Sequence, residues 1–305
     1  MRAVALTEKS SAPQLIDLPR PVASEGHLVV RVQASSLNGF DIAVAAGNLE
    51  GMMEYRYPVV LGKDYAGIVD SIGEDVTKFA VGERVFGVVT IPFLRDGGIG
   101  EYVVVNEKFG ITKIPSEVDI YDAGALGLAG AAAVDSFDAV ALKPGQSVLI
   151  VGATGGVGAI ATQYAVAAGA TVIATAKPGA QTDFVKSQGA QHVVDPTGDL
   201  SAQVKAIAPE GVNAILHLAG DASALPDLLA ADGKIASTLG FGPDKHPAAI
   251  AILASANEKT LDRLAADVAA KRIHVPITVT FTLDEVPAAI AAFHDGKLGK
   301  QSIAL

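Results

Sequence analysis

The chain has 305 residues, of which 50% are hydrophobic and 18% are charged, so its length allows two domains and a large buried core. Its 33 acidic residues outnumber 23 basic ones, and the formal charge of -10 argues against nucleic acid or an anionic membrane as a partner. The absence of cysteine excludes disulfides, thiolate metal sites and cysteine nucleophiles.

The N-terminal sequence gives no sign of a targeting segment. MRAVALTEKS reaches charged and hydroxyl residues before a hydrophobic region forms. No stretch approaches the roughly 18 uninterrupted apolar residues of a membrane-spanning helix. These features predict a cytoplasmic globular enzyme.

The first third of the chain has the pattern of an antiparallel β domain. Its β-branched runs are short, and Gly, Pro, Asp and Asn separate them. Evenly spaced strands with such turns predict a compact barrel or sandwich. The four runs are LVVRVQA (28–34), AGIVDSI (66–72), RVFGVV (84–89) and EYVVVN (101–106).

After about residue 118 the pattern changes to strands alternating with amphipathic helices. Alternation of this kind predicts βαβ units and a parallel sheet. The tail, residues 275–305, is again rich in β-forming residues around one helix. We therefore predict an α/β protein with two domains, a β-rich one at 1–117 and 274–305 and a doubly wound one at 118–273. The strand-like runs lie at 148–151, 171–174, 192–194, 214–218 and 234–237.

A glycine-rich turn opens the second domain. Residues 153–158, ATGGVG, follow an apolar strand and begin an amphipathic helix, which is the context a dinucleotide fingerprint requires. Such a turn lets the backbone approach a pyrophosphate at the helix N-terminus. The alternative is a glycine turn without a ligand. We favour nucleotide binding, with Thr154, Gly155, Gly156, Val157 and Gly158 as the contact residues.

The end of the next strand indicates which nucleotide is bound. An NAD site usually has Asp or Glu about 20 residues after the glycines, where it binds the ribose hydroxyls. Here that region reads Ala-Thr-Ala-Lys, with Thr175 and Lys177 in place of a carboxylate. A hydroxyl and a cation suit a 2′-phosphate, so NADPH is the predicted cofactor. An exposed loop lysine is the alternative for Lys177. Ala219 and Leu239 complete the predicted cofactor-binding set.

Three segments together resemble the medium-chain dehydrogenase/reductase superfamily, and within it the zinc-independent quinone oxidoreductase branch. The resemblance implies a GroES-like catalytic domain beside a Rossmann domain, with the active site in the cleft between them. It also implies NADPH as cofactor and a homodimer. The segments are LNGFD (37–41), VVLGKDYAGIVDSIGEDVTKFAVGERVFG (59–87) and LKPGQSVLIVGATGGVG (142–158).

No metal is predicted. The zinc branches of the superfamily need a cysteine and a histidine-glutamate pair, but this chain lacks cysteine and has Lys63-Asp64 at the corresponding position. Its six histidines are scattered without ligand spacing. Without a metal, the chemistry favours an acceptor that is already electrophilic, a quinone or an α,β-unsaturated carbonyl, over an unactivated alcohol.

The resemblance also implies three catalytic candidates. Asn38 matches the family's active-site asparagine, whose amide can donate to the substrate oxygen or order the nicotinamide ribose. Asp41 is expected to brace the loop. The phenol of Tyr65 can donate a hydrogen bond or a proton, or its ring can simply fill a strand end. Asp64 is expected to pair with Lys63 or Arg84 on the surface, and a catalytic role is the alternative.

Four positions depart from the family pattern and keep other functions open. Val44 replaces a frequent tyrosine, Ala132 a hydroxyl residue, Pro196 a tyrosine and His217 an aspartate. An enoyl or alkenal reductase is the alternative enzyme, and a non-catalytic NADPH-binding sensor is the alternative of another class.

Overall fold

The computed structural model describes residues 1–294, 296 and 298–305, and its chain divides into two compact units. The first unit comprises Met1–Leu128, Ala256–Lys271 and Ile277–Leu305. The second comprises Ala129–Ser255 and Arg272–Pro276. The predicted α/β class is confirmed, because one unit is rich in antiparallel strands and the other is built on a parallel sheet.

The helices and strands follow one another along the chain as follows. The N-terminal part contains β1 (Arg2–Leu6), β2 (Gln14–Asp17), β3 (His27–Leu37), α1 (Gly39–Ala45), β4 (Glu54–Tyr55), β5 (Val59–Val60), β6 (Asp64–Ile72), β7 (Arg84–Val88), β8 (Phe93–Leu94), β9 (Tyr102–Asn106) and β10 (Ile111–Lys113). The middle part contains α2 (Ile120–Val140), β11 (Ser147–Val151), α3 (Gly156–Ala167), β12 (Thr171–Thr175), α4 (Ala180–Ser187), β13 (His192–Val194), α5 (Leu200–Ile207), β14 (Val212–His217), β15 (Leu229–Ser237) and β16 (Ala249–Ala251). The C-terminal part contains α6 (Glu258–Ala269), β17 (Ile277–Thr282), α7 (Val286–His294) and β18 (Lys300–Ala304). Short 3-10 helices lie at Pro226–Leu228 and Leu283–Glu285.

The largest sheet of the first unit has the order β10-β7-β6-β3-β18-β17, and β9 also pairs with β3. Its pairs are antiparallel except β17 with β18. The four strands predicted in the first third of the chain correspond to β3, β6, β7 and β9. β18 lies between β3 and β17, with Gln301 opposite Leu37, so the C-terminal tail belongs to this unit.

Helix α6 also belongs to the first unit, although the sequence ranges place it with the second domain. Its contacts explain this, since the Thr112 hydroxyl of β10 donates to Asp262 and Lys78 Nζ lies 2.7 Å from Glu258 Oε2. The domain boundaries at 117/118 and 273/274 stay a prediction.

The second unit is a six-stranded parallel sheet in the order β13-β12-β11-β14-β15-β16. This is the strand order of a doubly wound dinucleotide-binding fold, in which ligands bind at the carboxyl ends of the strands where the order reverses. Here the reversal lies between β11 and β14. Buried apolar side chains fill the sheet's core, among them Leu149, Ile173, Ile215 and Ile235.

Helix α2 is the one described helix whose length and composition would also allow it to cross a membrane. The buried core helix of a soluble protein passes the same test, and 72% of the apolar window of α2 is buried.

Candidate functional site

The glycine-rich turn lies between β11 and α3, at the point where the strand order reverses. Two of its glycines are required by close packing: an ideal Cβ at Gly158 would lie 2.3 Å from Gly152 O, and one at Gly152 would lie 2.8 Å from Ala219 Cβ. Gly152 also has a φ of +91°, which a side chain disfavours. A Cβ at Gly155, in contrast, would meet only Gly152 O at 3.6 Å. The surface of Gly155 is therefore open to a ligand.

The N-terminus of α3 is free to bind an anion. Gly155 is the N-cap residue, and no side chain caps the helix there. The first amides of the helix, those of Gly156, Val157 and Gly158, point along the axis toward the turn, as in any α-helix. Uncapped amides and the helix dipole attract negative charge. The turn therefore fits a dinucleotide pyrophosphate.

The two predicted 2′-phosphate contacts differ in their surroundings. Thr175 is buried, and its Oγ1 accepts a hydrogen bond from Gly152 N at 2.9 Å and donates to Ile150 O at 3.3 Å. Its hydroxyl therefore ties the glycine turn to the ends of β11 and β12. Lys177 is exposed and keeps its ammonium at the surface.

A carboxylate that sequence reasoning missed lies near Lys177. The pKa of Asp195 is lowered mainly by hydrogen bonds from the Thr197 amide and hydroxyl, and Lys177 adds a further charge effect. Thr197 N and Oγ1 donate to Asp195 Oδ1 at 2.9 and 2.7 Å. Asp195 follows β13, the strand next to β12, and this pairing of strands cannot be inferred from the local sequence.

The other predicted cofactor residues follow β14 and β15. Ala219 and Leu239 are both exposed, at the carboxyl ends of these strands. Between the strands, His217 Nδ1 lies 2.9 Å from Ser237 Oγ and His217 Nε2 lies 3.1 Å from Gly220 O. A carbonyl only accepts, so Nε2 donates to Gly220 O, and Nδ1 pairs with the Ser237 hydroxyl. His217 thus joins the end of β15 to the loop that follows β14.

A second cluster surrounds Asn38 in the first unit, at the start of α1. Asn38 N donates to Asp41 Oδ2 at 2.8 Å, and Lys63 N donates to Asp41 Oδ1 at 3.0 Å. Asp41 is buried, and burial, followed by the charge of Asp64, raises its pKa from 3.8 to about 6. Its carboxylate therefore links the backbone at Asn38 to the backbone at Lys63.

Asp64 is at the centre of this cluster. Its carboxylate accepts hydrogen bonds from Ser36 Oγ at 2.6 Å, Asn38 Nδ2 at 2.8 Å and Leu128 N at 2.7 Å. Lys300 Nζ lies 3.5 Å from Asp64 Oδ2, and both side chains are buried.

The expected surface pairing of Asp64 with Lys63 or Arg84 is wrong. Arg84 donates instead to the carbonyl of Val118 at 2.8 Å, and Lys63 Nζ contacts Val89 O. Asp64 is fully buried, so its charge is balanced inside the unit rather than by a side chain at the surface.

Lys300 is the residue of this cluster that sequence reasoning missed. Only 1% of its surface is exposed, and its Nζ donates to Asn38 Oδ1 at 2.7 Å and Leu37 O at 3.2 Å. A lysine at the start of a strand is usually exposed, so its local sequence contained no signal for this position.

Tyr65 lies in the core beneath the cluster. Its side chain is 0% exposed, its hydroxyl donates to Gly110 O at 3.0 Å, and burial raises its pKa well above the ordinary value. A Cβ on Gly87 would lie 2.8 Å from that hydroxyl. This geometry favours the packing interpretation of Tyr65 over proton donation.

Two family models match the chain, one in each part. The alcohol dehydrogenase GroES-like domain matches residues 24–116, and the zinc-binding dehydrogenase model matches residues 156–274. Within the described residues, no group of three or more His, Cys, Asp or Glu side chains is placed to hold a metal ion.

Known relatives extend over most of the chain. A quinone oxidoreductase of Lama guanicoe is 29% identical over 80% of this chain and 74% of its own length. The synaptic vesicle membrane protein VAT-1 of Tetronarce californica is 30% identical over 93% of this chain and 69% of its own length. The solved structure of the quinone oxidoreductase from Coxiella burnetii superposes with a TM-score of 0.88 and 27% identity, over 100% of this chain and 99% of that one.

These matches confirm the resemblance stated from the sequence. The chain belongs to the medium-chain dehydrogenase/reductase superfamily, as a quinone oxidoreductase-like member with a GroES-like and a Rossmann-like part. It is an oxidoreductase of a family that depends on pyridine nucleotides.

Proposed function

We propose that this protein is an NADPH-dependent reductase that reduces a quinone or another activated acceptor without a metal. The observation that carries the proposal is the uncapped N-terminus of α3, with open space at Gly155 between two close-packed glycines. The quinone oxidoreductases among the relatives support the choice of acceptor.

The proposed cofactor site uses the ends of four strands. Thr154, Gly155, Gly156, Val157 and Gly158 would hold the pyrophosphate. Lys177 would bind the 2′-phosphate, and the buried hydroxyl of Thr175 would stabilise the glycine turn. Ala219 and Leu239 would border the remaining half of the dinucleotide. A bound nicotinamide supplies the hydride, which is chemistry that no side chain can supply.

The protein's own contribution is proposed to be a donor for the acceptor's oxygen. Asn38 Nδ2 carries two protons, of which one goes to Asp64. The second is available for an oxygen that gains negative charge during reduction. A donor held in place before the reaction stabilises such charge without the cost of reorganisation. Asp41 keeps the backbone of Asn38 in position.

The hydrogen-bond donors and the ammonium group around Asp64 support a reaction that uses no metal. Asp64 accepts three hydrogen bonds and lies beside Lys300, an ammonium group that would repel a cation. The chain also lacks the cysteine that the zinc branches use.

The test is NADPH oxidation, followed at the nicotinamide absorbance band with a quinone, with an enone and with no acceptor. We expect the quinone to accelerate oxidation, and a chelator to leave the rate unchanged. A faster rate with the enone alone would assign the protein to the enoyl or alkenal reductases. Tight NADPH binding without acceleration by either acceptor would show a nucleotide sensor instead of an enzyme.

We further propose a homodimer. β16 lies at the end of the parallel sheet's strand order, and Leu253 just beyond it is 93% exposed. An unpaired strand edge beside an exposed leucine can pair with a second copy. Light scattering during size-exclusion chromatography should give twice the chain mass of 31.0 kDa. A monomer across the micromolar range would contradict this proposal. The cytoplasmic location stays a prediction.

A further inference from the structure

Both ends of the Asn38 carboxamide are held by buried charged groups. Lys300 Nζ donates to its oxygen at 2.7 Å, and its nitrogen donates to Asp64 Oδ2 at 2.8 Å. Rotating the amide by half a turn would place its NH₂ group against the ammonium and its oxygen against the carboxylate. Only one orientation therefore satisfies the donors and acceptors. In that orientation, the direction of the second N–H is fixed.

The lysine reaches Asn38 because β18 is inserted beside β3. Gln301, the residue after Lys300, pairs with Leu37, the residue before Asn38. Lys300 Nζ also donates to the carbonyl of Leu37 at 3.2 Å. The ammonium is thus anchored to the backbone that leads into Asn38, as well as to its side chain.

Burial lowers the pKa of Lys300, and the neighbouring carboxylates of Asp64 and Asp41 act in the opposite direction. The charged groups that act on it are these two carboxylates, and Lys63 is also close to the cluster, since its backbone amide donates to Asp41 Oδ1 at 3.0 Å. An ammonium on a carbonyl oxygen withdraws electron density from the amide, which makes the N–H a stronger donor.

We propose that Lys300 is a positioning residue that sets both the direction and the donor strength of the free N–H of Asn38. The inference rests on the proposed function, in which that N–H meets the oxygen of the acceptor. Lys300 itself touches no substrate. It acts through Asn38, and the Asp64 carboxylate holds the opposite end of the same amide.

The test combines spectroscopy with kinetics. The chain has five asparagines, namely Asn38, Asn48, Asn106, Asn213 and Asn257, so ¹⁵N-asparagine labelling gives five side-chain amide pairs. The Asn38→Ala variant identifies the Asn38 signals. We compare Lys300→Met and Lys300→Arg with the wild type, and Lys234→Met, which changes an exposed lysine, is the control.

We expect Lys300→Met to shift the Asn38 amide signals and to lower kcat about tenfold, a smaller loss than for removing a donor outright. The KM for NADPH should not change, because Lys300 belongs to the first unit and the proposed NADPH contacts belong to the second. Lys300→Arg should recover part of the signal position and part of kcat. Lys234→Met should change neither.

Lys300→Met leaves Asp64 buried without its cation and can prevent folding. The double variant Asp64→Asn/Lys300→Met removes both charges and is measured in the same way, with the same shift and loss expected. Asn38 signals at their wild-type positions in either variant would overturn the proposal. So would shifted signals with an unchanged kcat in an active enzyme. Absence of turnover by the wild type with every acceptor would instead refute the proposed function, whatever the asparagine signals show.

Discussion

Alanine substitution at two different positions of the glycine turn tests packing and ligand binding separately. Gly158→Ala places a methyl group 2.3 Å from Gly152 O and 2.6 Å from Ala153 Cα, both of which are backbone atoms. Gly155→Ala places a methyl group 3.6 Å from its nearest neighbour, at a φ of -81° that alanine adopts without strain. The two substituted positions are three residues apart, and both variants introduce the same alanine side chain.

The structure predicts that Gly158→Ala destabilises the cofactor-free protein more than Gly155→Ala does. The helix propensity of alanine stabilises Gly158→Ala by about 1 kcal/mol, but overpacking against fixed backbone costs roughly 1 to 3 kcal/mol or more. Because the overlap is with backbone atoms, the cost should lie at the upper end of that range, and we expect a net loss of about 2 kcal/mol in the free energy of unfolding of the cofactor-free protein. Gly155→Ala should cost only about 0.5 to 1 kcal/mol, because its methyl group meets no close neighbour and alanine is merely a poorer N-cap than glycine.

Gly155→Ala, which changes the stability of the free protein less, should nevertheless weaken cofactor binding. Its methyl group would occupy the open surface where the pyrophosphate is proposed to lie, and we expect NADPH affinity to fall at least tenfold, or about 1.4 kcal/mol. Urea unfolding followed by circular dichroism and titration by NADPH fluorescence measure the two effects. If Gly155→Ala binds NADPH like the wild type, or destabilises the free protein more than Gly158→Ala, the proposed placement of the pyrophosphate is refuted.

Three further predictions concern charge and donors. Lys177→Glu should weaken NADPH by about 1.5 to 3 kcal/mol more than NADH in paired titrations, since the new carboxylate would face the extra phosphate; an equal loss for both would remove Lys177 from the site. Asn38→Ala should lower kcat with a nearly unchanged NADPH affinity, whereas a selective loss of affinity would assign Asn38 to the cofactor. Burial raises the pKa of Asp41 from 3.8 to about 6, so the native state holds this proton more tightly than the unfolded state. The resulting stability is present below pH 3.8 and is lost, by about 3 kcal/mol, as the pH rises through 6. Unfolding of Asp41→Asn in urea across this range should show a smaller decline, and an equal decline would contradict the assignment to Asp41.

Local pattern was sufficient for many of the strands that build both units. The β-branched runs of the first third form β3, β6, β7 and β9, and the alternating strands and helices form the parallel sheet. The glycine turn lies at the start of α3, as its flanking strand and helix predicted. Hydrophobic periodicity and turn-forming residues act over a few neighbouring positions, so both can be recognised in a single sequence.

The position of individual side chains required the tertiary structure. Thr175 looked like a surface contact for a phosphate, yet its hydroxyl joins Gly152 to Ile150 inside the turn. Tyr65 looked like a candidate donor, yet a backbone carbonyl of Gly110 uses its hydroxyl. Both outcomes depend on strands or loops that meet only after the sheet has formed.

The sequence by itself determined the class of fold, the family and the place of the glycine turn, because each of these depends on residues that are close together in the chain. Only the tertiary structure decided that Lys300, near the C-terminus, would be buried beside Asn38 and Asp64. The physical reason is that a lysine is normally exposed, and its burial becomes favourable only where distant strands bring a carboxylate and carbonyl oxygens to the same point.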